Sequence, residues 1–468
     1  MKAPLAVATL FVLLLCNQAA ASAATAETIP DAVAGRAGGL MQAALESNAA
    51  HDILISLTTE IGPRLAGTEA EARARRWAVD KMTALGLQNV RIEPFEVPLW
   101  SRGVERAEII APYPQPLVVT MLGGSVATGA EDVEAEVVSF ESVAALREAA
   151  PDSLDGAIVF VDEVMSRSRD GSGYVRAVGK RRLAAYLAAE RGASAVLIRS
   201  VGTSSHRFAH AGQMRRVTQA GEPGVPAAAL SAPDADQLRR ILASGEKVVV
   251  RLVLQAETRP AAPSGNVIGE IVGRDAPDEI VLVGAHLDSW DLGTGAVDDG
   301  AGVAIVLGAV DLLRRSLAQP PRRTIRVVLF GAEEVGLVGA QAYARAHAAE
   351  LEQHIIGTES DFGAGDIWRF DSRVGEGSLD AIGAIGAVLA PLGIGPGTNS
   401  ATGGPDMKYL REAGMPVVGL LQDGSDYFDL HHTSNDTLDK IAPGELDQNV
   451  AAYAAFLFLA AETSAEFR

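Results

Sequence analysis

Cysteine is almost absent from this chain. Its 468 residues include one cysteine, Cys16, which lies inside an apolar stretch at the N-terminus. A protein that had lost this stretch would contain no cysteine, so disulfide bonds are excluded as a source of stability. A chain of this length can form two domains with a large core, and its stability has to come from that core.

The N-terminal stretch has the features of a secretory signal. Lys2 precedes an apolar run over residues 5–15, which is too short to span a bilayer. Small residues at 19–24 offer cleavage sites. We therefore predict a signal peptide over residues 1–23 and a secreted or periplasmic protein. The alternative is a lipoprotein anchor at Cys16, which the bulky residue before it disfavours.

Positive charge is also scarce. Lys and Arg number 40 against 59 Asp and Glu, which gives a formal net charge of −19 at pH 7. This charge argues against nucleic acid and against an anionic membrane as partners. The simplest consequence of the acidity is solubility. Long apolar runs are missing after the N-terminal stretch, so we expect no membrane association once the signal is removed.

Strands and helices alternate from around residue 264 onward. Predicted strands cover residues 279–283, 324–330, 354–359 and 416–421, and predicted helices begin near Asp299, Val338, Leu379 and Asp406. This alternation predicts an α/β fold with a mostly parallel central sheet and helices on both faces. Nearer the N-terminus we expect a helix over 68–85 and a strand over 90–97, whereas residues 24–50 form either a helix or a removable leader.

Residues 118–258 have a different character, and we interpret them as an inserted domain. Predicted strands at 156–161, 194–198 and 247–254 and a predicted helix at 179–192 lie within it, without a cluster of metal-ligating residues. The insertion divides the remainder into a first part, 24–117, and a second part, 259–468. Because an insertion leaves and rejoins its host close together, we expect it to cover the sheet edge. A passive decoration is the alternative.

Two acidic motifs suggest a metal site. His286 and Asp288 directly follow a predicted strand, and Asp298 and Asp299 precede the next helix. Imidazole and carboxylate groups together suit zinc. In this interpretation His286 binds a metal, Asp288 fixes the tautomer of its ring, and Asp298 bridges two ions. Each motif alone has a simpler explanation, a loop histidine in the first case and helix capping in the second.

Three further groups also follow predicted strands. These groups are Glu333-Glu334, Asp361 and His431-His432. Each is an ordinary feature by itself, but the carboxyl ends of neighbouring parallel strands meet at one edge of a sheet. Two histidines and three carboxylates gathered there would hold two divalent ions, and one acid would remain as a general base.

Taken in order, these motifs resemble the co-catalytic zinc exopeptidases, a family that includes bacterial leucyl aminopeptidases and glutamate carboxypeptidases. The resemblance covers nearly the whole chain after the signal and is strongest to the plasma glutamate carboxypeptidase branch. The segments that carry it are His286-Leu-Asp-Ser-Trp-Asp291, Asp298-Asp-Gly300, Ala332-Glu-Glu334, Glu359-Ser-Asp361 and His431-His-Thr433. It implies the phosphorylase/hydrolase-like fold of these exopeptidases, with a protease-associated (PA) domain as the insert.

The resemblance also implies a ligand set for two zinc ions per chain. Asp298 would bridge the ions, and the peptide bond to the residue that follows it would be cis. His286 and Asp361 would bind one ion, and Glu334 and His432 would bind the other.

The remaining implied roles concern catalysis and substrate. Glu333 would be the general base, with Asp288 as a second catalytic residue, and His431 or Tyr427 would stabilise the oxyanion. The implied protein is a homodimeric exopeptidase that hydrolyses dipeptides or short peptides with free termini. Residues 422–430 do not align clearly with the family, which leaves the side-chain preference open.

Several alternatives stay open at this point. An aminopeptidase would release N-terminal residues from longer peptides. A glutaminyl cyclase-like enzyme would use one metal and lack the full ligand set, and a non-catalytic receptor relative would have lost ligands. A periplasmic binding protein would also have two α/β parts, but it needs no metal site.

Overall fold

The computed structural model describes residues 29–129, 132–215 and 224–468. The predicted signal peptide, residues 1–23, and Cys16 within it lie outside the described residues. Within the described ranges, no helix is long and apolar enough to cross a membrane.

The helices within these ranges are α1 (Asp31–Ala44), α2 (Ala49–Glu60), α3 (Glu69–Ala84), α4 (Val143–Glu148), α5 (Ser172–Ala189), α6 (Ala232–Leu242), α7 (Ala301–Ser316), α8 (Val338–Ala346), α9 (Leu379–Leu389), α10 (Lys408–Glu412), α11 (Tyr427–Leu430) and α12 (Asp447–Glu462). The strands are β1 (Gln88–Ala111), β2 (Gln115–Leu117), β3 (Val119–Met121), β4 (Val133–Phe140), β5 (Ile158–Val161), β6 (Ala195–Arg199), β7 (Ala227–Leu230), β8 (Val249–Ile271), β9 (Ala276–His286), β10 (Arg323–Phe330), β11 (His354–Glu359), β12 (Ile367–Arg373), β13 (Gly395–Pro396) and β14 (Val417–Gln422).

The C-terminal half of the chain forms a mostly parallel sheet in the order β13-β12-β14-β11-β9-β10-β8. Strands β14, β11, β9 and β10 pair in parallel, and so do β12 and β13, whereas β12 pairs antiparallel with β14 and β8 pairs antiparallel with β10. The mixed α/β fold is confirmed. All four strands predicted in this half are present, within a few residues of the predicted bounds.

Helices cover both faces of this sheet because both sides of each central strand are apolar. On β9, Val281 and Val283 join the large core that also contains α7 and α12. Leu282, which points to the opposite face, packs with residues of α8 and α10. A strand buried on both faces is a continuous apolar run, and this is the pattern of residues 280–283.

Two long antiparallel strands connect this half to the region predicted as an insert. Strands β1 and β8 pair from Gln88↔Glu270 to Ala111↔Val249. Their far ends join a smaller sheet in the order β8-β4-β5-β6-β7-β3, in which β4 to β7 are parallel. The predicted boundary at 258/259 falls inside β8, which continues through it without a break. The exact domain bounds and the PA classification stay predictions.

Candidate metal centre

Chain segments that follow four strands meet at one edge of the sheet. Strand β9 ends at His286, and β10 and β11 end shortly before Glu333 and Asp361. Strand β14 leads through a loop and α11 to His431 and His432. Since β9 lies between β10 and β11 and parallel to both, the carboxyl ends of these strands are adjacent. The predicted convergence is therefore present in the structure.

His286 is buried, and its two ring nitrogens face different groups. Nδ1 lies 3.0 Å from the backbone carbonyl of Asp288, to which it donates. Nε2 lies 3.1 Å from Oδ1 of Asp298 and 3.6 Å from Oδ1 of Asp361. A metal-ligating histidine is typically held in this way, with the other ring N–H donated to a carbonyl.

His432 repeats this arrangement on the other side of Asp298. Its Nε2 lies 2.9 Å from Oε2 of Glu334 and 3.2 Å from Oδ2 of Asp298. Its Nδ1 lies 3.3 Å from the carbonyl oxygen of Ala211. Asp298 therefore presents one carboxylate oxygen to each histidine, which is the position required of a bridging ligand.

The turn that carries Asp298 is held by other carboxylates. The peptide bond from Asp298 to Asp299 is cis. Asp436 accepts hydrogen bonds from the backbone N–H of Asp298 at 3.2 Å and of the residue before it at 2.6 Å. Asp299 accepts from the N–H of His286 at 3.0 Å and of Gly302 at 3.1 Å. Both oxygens of Asp299 are thus engaged by the backbone, whereas those of Asp298 face the site.

Asp288 acts differently from the sequence prediction. Its carboxylate oxygen Oδ1 lies 3.9 Å from Nδ1 of His286, too far for a hydrogen bond. The backbone carbonyl of Asp288, and not its carboxylate, orients the imidazole. Oδ1 instead accepts a hydrogen bond of 3.0 Å from the backbone N–H of Glu333. Asp288 therefore positions both the predicted ligand His286 and the predicted base Glu333.

Glu333 lies at the cavity wall beside the imidazoles. Burial, together with the charges of Glu334 and Asp361 and against that of His286, raises the pKa of Glu333 well above its ordinary value. A carboxylate in such surroundings binds a proton more strongly than one in water, which suits a group that accepts and returns a proton.

His431 and Tyr427 form the wall next to the ligands. The His431 ring stacks on that of His432 with centroids 3.5 Å apart, and its Nε2 lies 3.7 Å from Oδ2 of Asp298. The shorter contacts of His432, including the one to Glu334, favour His432 as the ligand. Burial raises the pKa of the Tyr427 hydroxyl well above its ordinary value and lowers that of His431 well below, so Tyr427 keeps its proton and His431 is neutral.

Arg64 is a site residue that the sequence analysis missed. Its side chain is fully buried. The guanidinium donates to the backbone carbonyls of Leu287 at 2.5 Å, Thr294 at 2.7 Å and Gly295 at 2.9 Å. These carbonyls belong to the segments that carry His286 and Asp298, so Arg64 ties the two segments together. A lone arginine in a Gly-Pro-Arg-Leu loop gives no signal of this role.

The donor set fits divalent metal ions. Possible ligand groups with atoms within 4.8 Å of one another include His286–Asp298–Glu334 and Asp298–His431–His432. Oε1 of Glu334 is buried without a hydrogen-bond partner in the described part of the chain. A buried unpaired carboxylate oxygen is costly unless a cation satisfies it. Nitrogen and carboxylate donors in this mixture match the preference of zinc.

The site opens into a cavity of about 710 Å³. The C-terminal half of the chain contributes Glu333 and Tyr427 to its lining, and α5 contributes Tyr174 and Arg181. A cavity of this size accommodates a small ligand rather than a folded chain.

Comparison with known proteins identifies the family. Residues 266–457 match peptidase family M28. Carboxypeptidase Q from Bos taurus is 33% identical over 415 residues, which are 89% of this chain and 86% of that protein. Carboxypeptidase Q from Homo sapiens is 32% identical over the same shares. The chain belongs to peptidase family M28. It is thus a zinc-dependent metallo-exopeptidase. Carboxypeptidase Q is another name for plasma glutamate carboxypeptidase, so the predicted likeness to that branch is confirmed.

Solved structures agree with this M28 assignment. A peptidase M28 precursor from Shewanella amazonensis is 50% identical, with a TM-score of 0.91 over 94% of this chain and 98% of that chain. A zinc aminopeptidase from Bacillus subtilis is 21% identical, with a TM-score of 0.63 over 90% of this chain and 97% of that one. The second likeness shows a shared fold.

Proposed function

We propose that this M28 peptidase is a secreted di-zinc exopeptidase that hydrolyses dipeptides or short peptides with free termini. The observation that carries the two-ion site is the position of Asp298. Its Oδ1 faces His286 at 3.1 Å and its Oδ2 faces His432 at 3.2 Å. A single tetrahedral zinc has no room for all five predicted ligands, whereas a pair of ions that share one carboxylate does.

In this proposal the ligands divide into two sets around Asp298. His286 and Asp361 hold one ion, and Glu334 and His432 hold the other. Zinc supplies Lewis-acid chemistry, which polarises a carbonyl and makes water acidic enough to lose a proton near neutral pH. Asp288 and the hydrogen bonds of the surrounding loops hold these side chains in place.

Glu333 transfers the proton. It accepts a proton from the attacking water as the new carbon–oxygen bond forms, and it delivers that proton to the amine nitrogen as the peptide bond breaks. Tyr427 keeps its proton, so its hydroxyl can donate a hydrogen bond to the negative charge that develops on the carbonyl oxygen. His431 is the second candidate for that role.

Arg181 supports a substrate with a free carboxylate. It lies on α5 at the cavity wall and is 7% exposed. Its Nη1 lies 3.4 Å from the carbonyl oxygen of Ala211 and 3.3 Å from Nδ1 of His432, and its Nη2 donates to the Tyr174 hydroxyl. Its Nε is buried without a hydrogen-bond partner among the described residues. A buried guanidinium with donors to spare suits the carboxylate end of a small peptide.

The experiment is a dipeptide library assayed with free, N-acetylated and C-amidated forms of each peptide. We expect hydrolysis of the free dipeptides and loss of activity when the C-terminus is amidated. Arg181→Gln should lower kcat/KM for free dipeptides by about 10- to 100-fold, which is the contribution of a charge-assisted hydrogen bond. The difference in kcat/KM between free and C-amidated dipeptides should therefore become smaller.

An aminopeptidase would give a different result. It would hydrolyse C-amidated and longer peptides as well as free dipeptides. Arg181→Gln would then change kcat/KM to the same extent for C-amidated and free peptides. Zinc content measured in parallel would show whether a loss of activity comes from a loss of metal.

Two further parts of the proposal rest on the sequence. Export relies on the signal predicted over residues 1–23, and a homodimer relies on the family resemblance. N-terminal sequencing of the exported protein and its sedimentation behaviour would test them.

A further inference from the structure

The region predicted as an insert makes direct contacts with the chain segment that carries His431 and His432. Residues 203–214, which we call the clasp segment, leave the end of β6 and lie against residues 427–433. We infer that the clasp segment is part of the metal centre: Ala211 orients the predicted ligand His432, and His210 fixes the carbonyl of His431, the residue directly before it.

The contact to His432 is reciprocal. The backbone N–H of Ala211 donates to the carbonyl of His432 at 2.9 Å. In return, Nδ1 of His432 lies 3.3 Å from the carbonyl of Ala211. Nη1 of Arg181 also lies 3.3 Å from Nδ1, and these contacts orient the ring so that Nε2 faces Glu334 and Asp298. For His286 the same function is served by the nearby carbonyl of Asp288, but for His432 it comes from the other half of the molecule.

His210 holds the neighbouring residue. Its Nδ1 lies 2.7 Å from the carbonyl oxygen of His431, to which it donates. The His210 side chain is 3% exposed, and its backbone N–H donates to Oγ of Ser200 at 2.9 Å. Ser200 in turn donates to the carbonyl of Leu230 at the end of β7. The position of His431 is therefore linked to the smaller sheet.

The backbone of His432 requires such support. Its φ is +61°, in the left-handed region that residues other than glycine seldom adopt. A backbone in this region persists when its surroundings determine it, and the N–H of Ala211 on the His432 carbonyl is one such restraint. At the start of the clasp segment, the N–H of Thr203 donates to the carbonyl of Phe428 at 3.0 Å, and the Thr203 hydroxyl donates to Asp429 at 2.7 Å.

This role goes beyond cover over the substrate. If the region served only to select substrates, its loosening would leave metal binding unchanged. Here, displacement of the clasp segment removes hydrogen bonds from both His431 and His432, so zinc affinity should depend on its docking. Loss of hydrogen bonds that orient metal ligands typically costs 10- to 100-fold in affinity. The inference rests on the zinc-ligand role proposed for His432, and it is independent of the substrate.

The test compares His210→Leu with His210→Asn in the full chain. Leucine removes the donor to the His431 carbonyl, whereas the amide nitrogen of asparagine can occupy the place of Nδ1. Zinc affinity is measured by competition with a chromophoric chelator, and metal content is measured after dialysis. We expect about a 10- to 100-fold loss of affinity in His210→Leu for at least one ion, and recovery of most of it in His210→Asn.

Leu238→Ala is the matched control. Leu238 is buried in α6 and packs in the core of the smaller sheet. This variant should lower thermal stability without lowering zinc affinity. Wild-type affinity in a folded His210→Leu variant would overturn the inference, and so would an equal loss of affinity in Leu238→Ala.

A measurement on the wild-type protein keeps the test valid if His210→Leu does not fold. Hydrogen exchange is followed in the metal-free and zinc-loaded enzyme. Zinc should slow exchange in residues 203–214 together with residues 427–433, and it should leave α6 unchanged. Slower exchange confined to the C-terminal half of the chain, with none in residues 203–214, would overturn the inference. Inactivity toward dipeptides with normal zinc binding would instead contradict the proposed function alone.

Discussion

Glu333 and Glu334 are neighbours in the chain but have different surroundings. Glu334 directs Oε2 to His432 at 2.9 Å, as a ligand would. The backbone N–H of Glu333 donates to the carboxylate of Asp288, and the side chain of Glu333 lines the cavity. The two acids therefore suit different roles, base and ligand.

Substitution of each acid by glutamine should separate these roles. Glu333→Gln should keep its fold and its zinc and lose the 10²–10⁴-fold in kcat that general-base catalysis typically contributes. Glu334→Gln should lose zinc together with activity. Metal analysis and steady-state kinetics on both variants check the assignment. Zinc loss in Glu333→Gln alongside full activity in Glu334→Gln would show that the roles are reversed.

The strand-end residues could be predicted because chemistry and periodicity agree at those positions. His286, Glu334 and Asp361 each follow an apolar run, and strand ends are where α/β folds place reactive groups. Residues that act through hydrogen bonds to the backbone leave no such pattern. Arg64 and His210 act on carbonyl oxygens, which every residue has, so their partners cannot be read from side-chain identity.

Among the secondary-structure elements, β8 shows why strand lengths were harder to predict. The predicted strand covered 247–254, whereas β8 continues to Ile271 through Pro260 and Pro263. Proline lacks an N–H and is tolerated only where a strand has a free side. Residues 253–266 of β8 pair with β1 alone, since β4 pairs up to Leu252 and β10 begins at Val267. The prolines therefore interrupt the sequence pattern but not the strand.

Arg64 connects elements that are distant in sequence, and Arg64→Lys tests its role. Lysine keeps the charge but cannot replace the three-way contact to Leu287, Thr294 and Gly295. Two or more buried carbonyls would lose their donors, each at a cost of about 1–3 kcal/mol. We expect a lower free energy of unfolding in urea and, because the ligand segments loosen, weaker zinc binding.

Arg75→Lys is the control for this prediction. Arg75 is also buried and pairs with Glu71 at 2.8 Å, and its guanidinium donates to the carbonyl of Pro263 on β8 rather than to a ligand segment. It should lower stability while zinc affinity stays at the wild-type value. If Arg64→Lys behaved in the same way, the proposed link between Arg64 and the metal centre would be wrong.

At the scale of the whole molecule, acid should weaken the fold. Burial lowers the pKa of His354 to about 4. Its neutral ring donates from Nδ1 to the carbonyl of Glu350 at 2.9 Å and accepts from the Tyr343 hydroxyl at 2.9 Å. In the unfolded chain, histidine takes up a proton near pH 6.5. Between about pH 6.5 and 4 the unfolded state thus binds more protons than the folded state, and stability falls as pH falls.

The size of this effect follows from the width of that window. A difference of about 2.5 pKa units corresponds to about 3 kcal/mol lost by pH 4. His354→Gln should show a flatter decline of unfolding free energy across the window. His206→Gln, which changes an exposed histidine, should keep the wild-type slope. Equal slopes in all three proteins would contradict the assignment to His354.

Zinc should stabilise the whole molecule, because the residues proposed to bind it come from segments that follow four different strands. A ligand that binds only the folded state raises stability in proportion to the logarithm of its concentration. The melting temperature should therefore rise on titration with zinc and fall with a chelator. Saturation should occur at two equivalents per chain, measured by elemental analysis of the active enzyme. Full activity at one equivalent of zinc per chain would exclude the bridging role of Asp298. The contact of 3.2 Å between Asp298 and His432 would then not reflect a shared metal site.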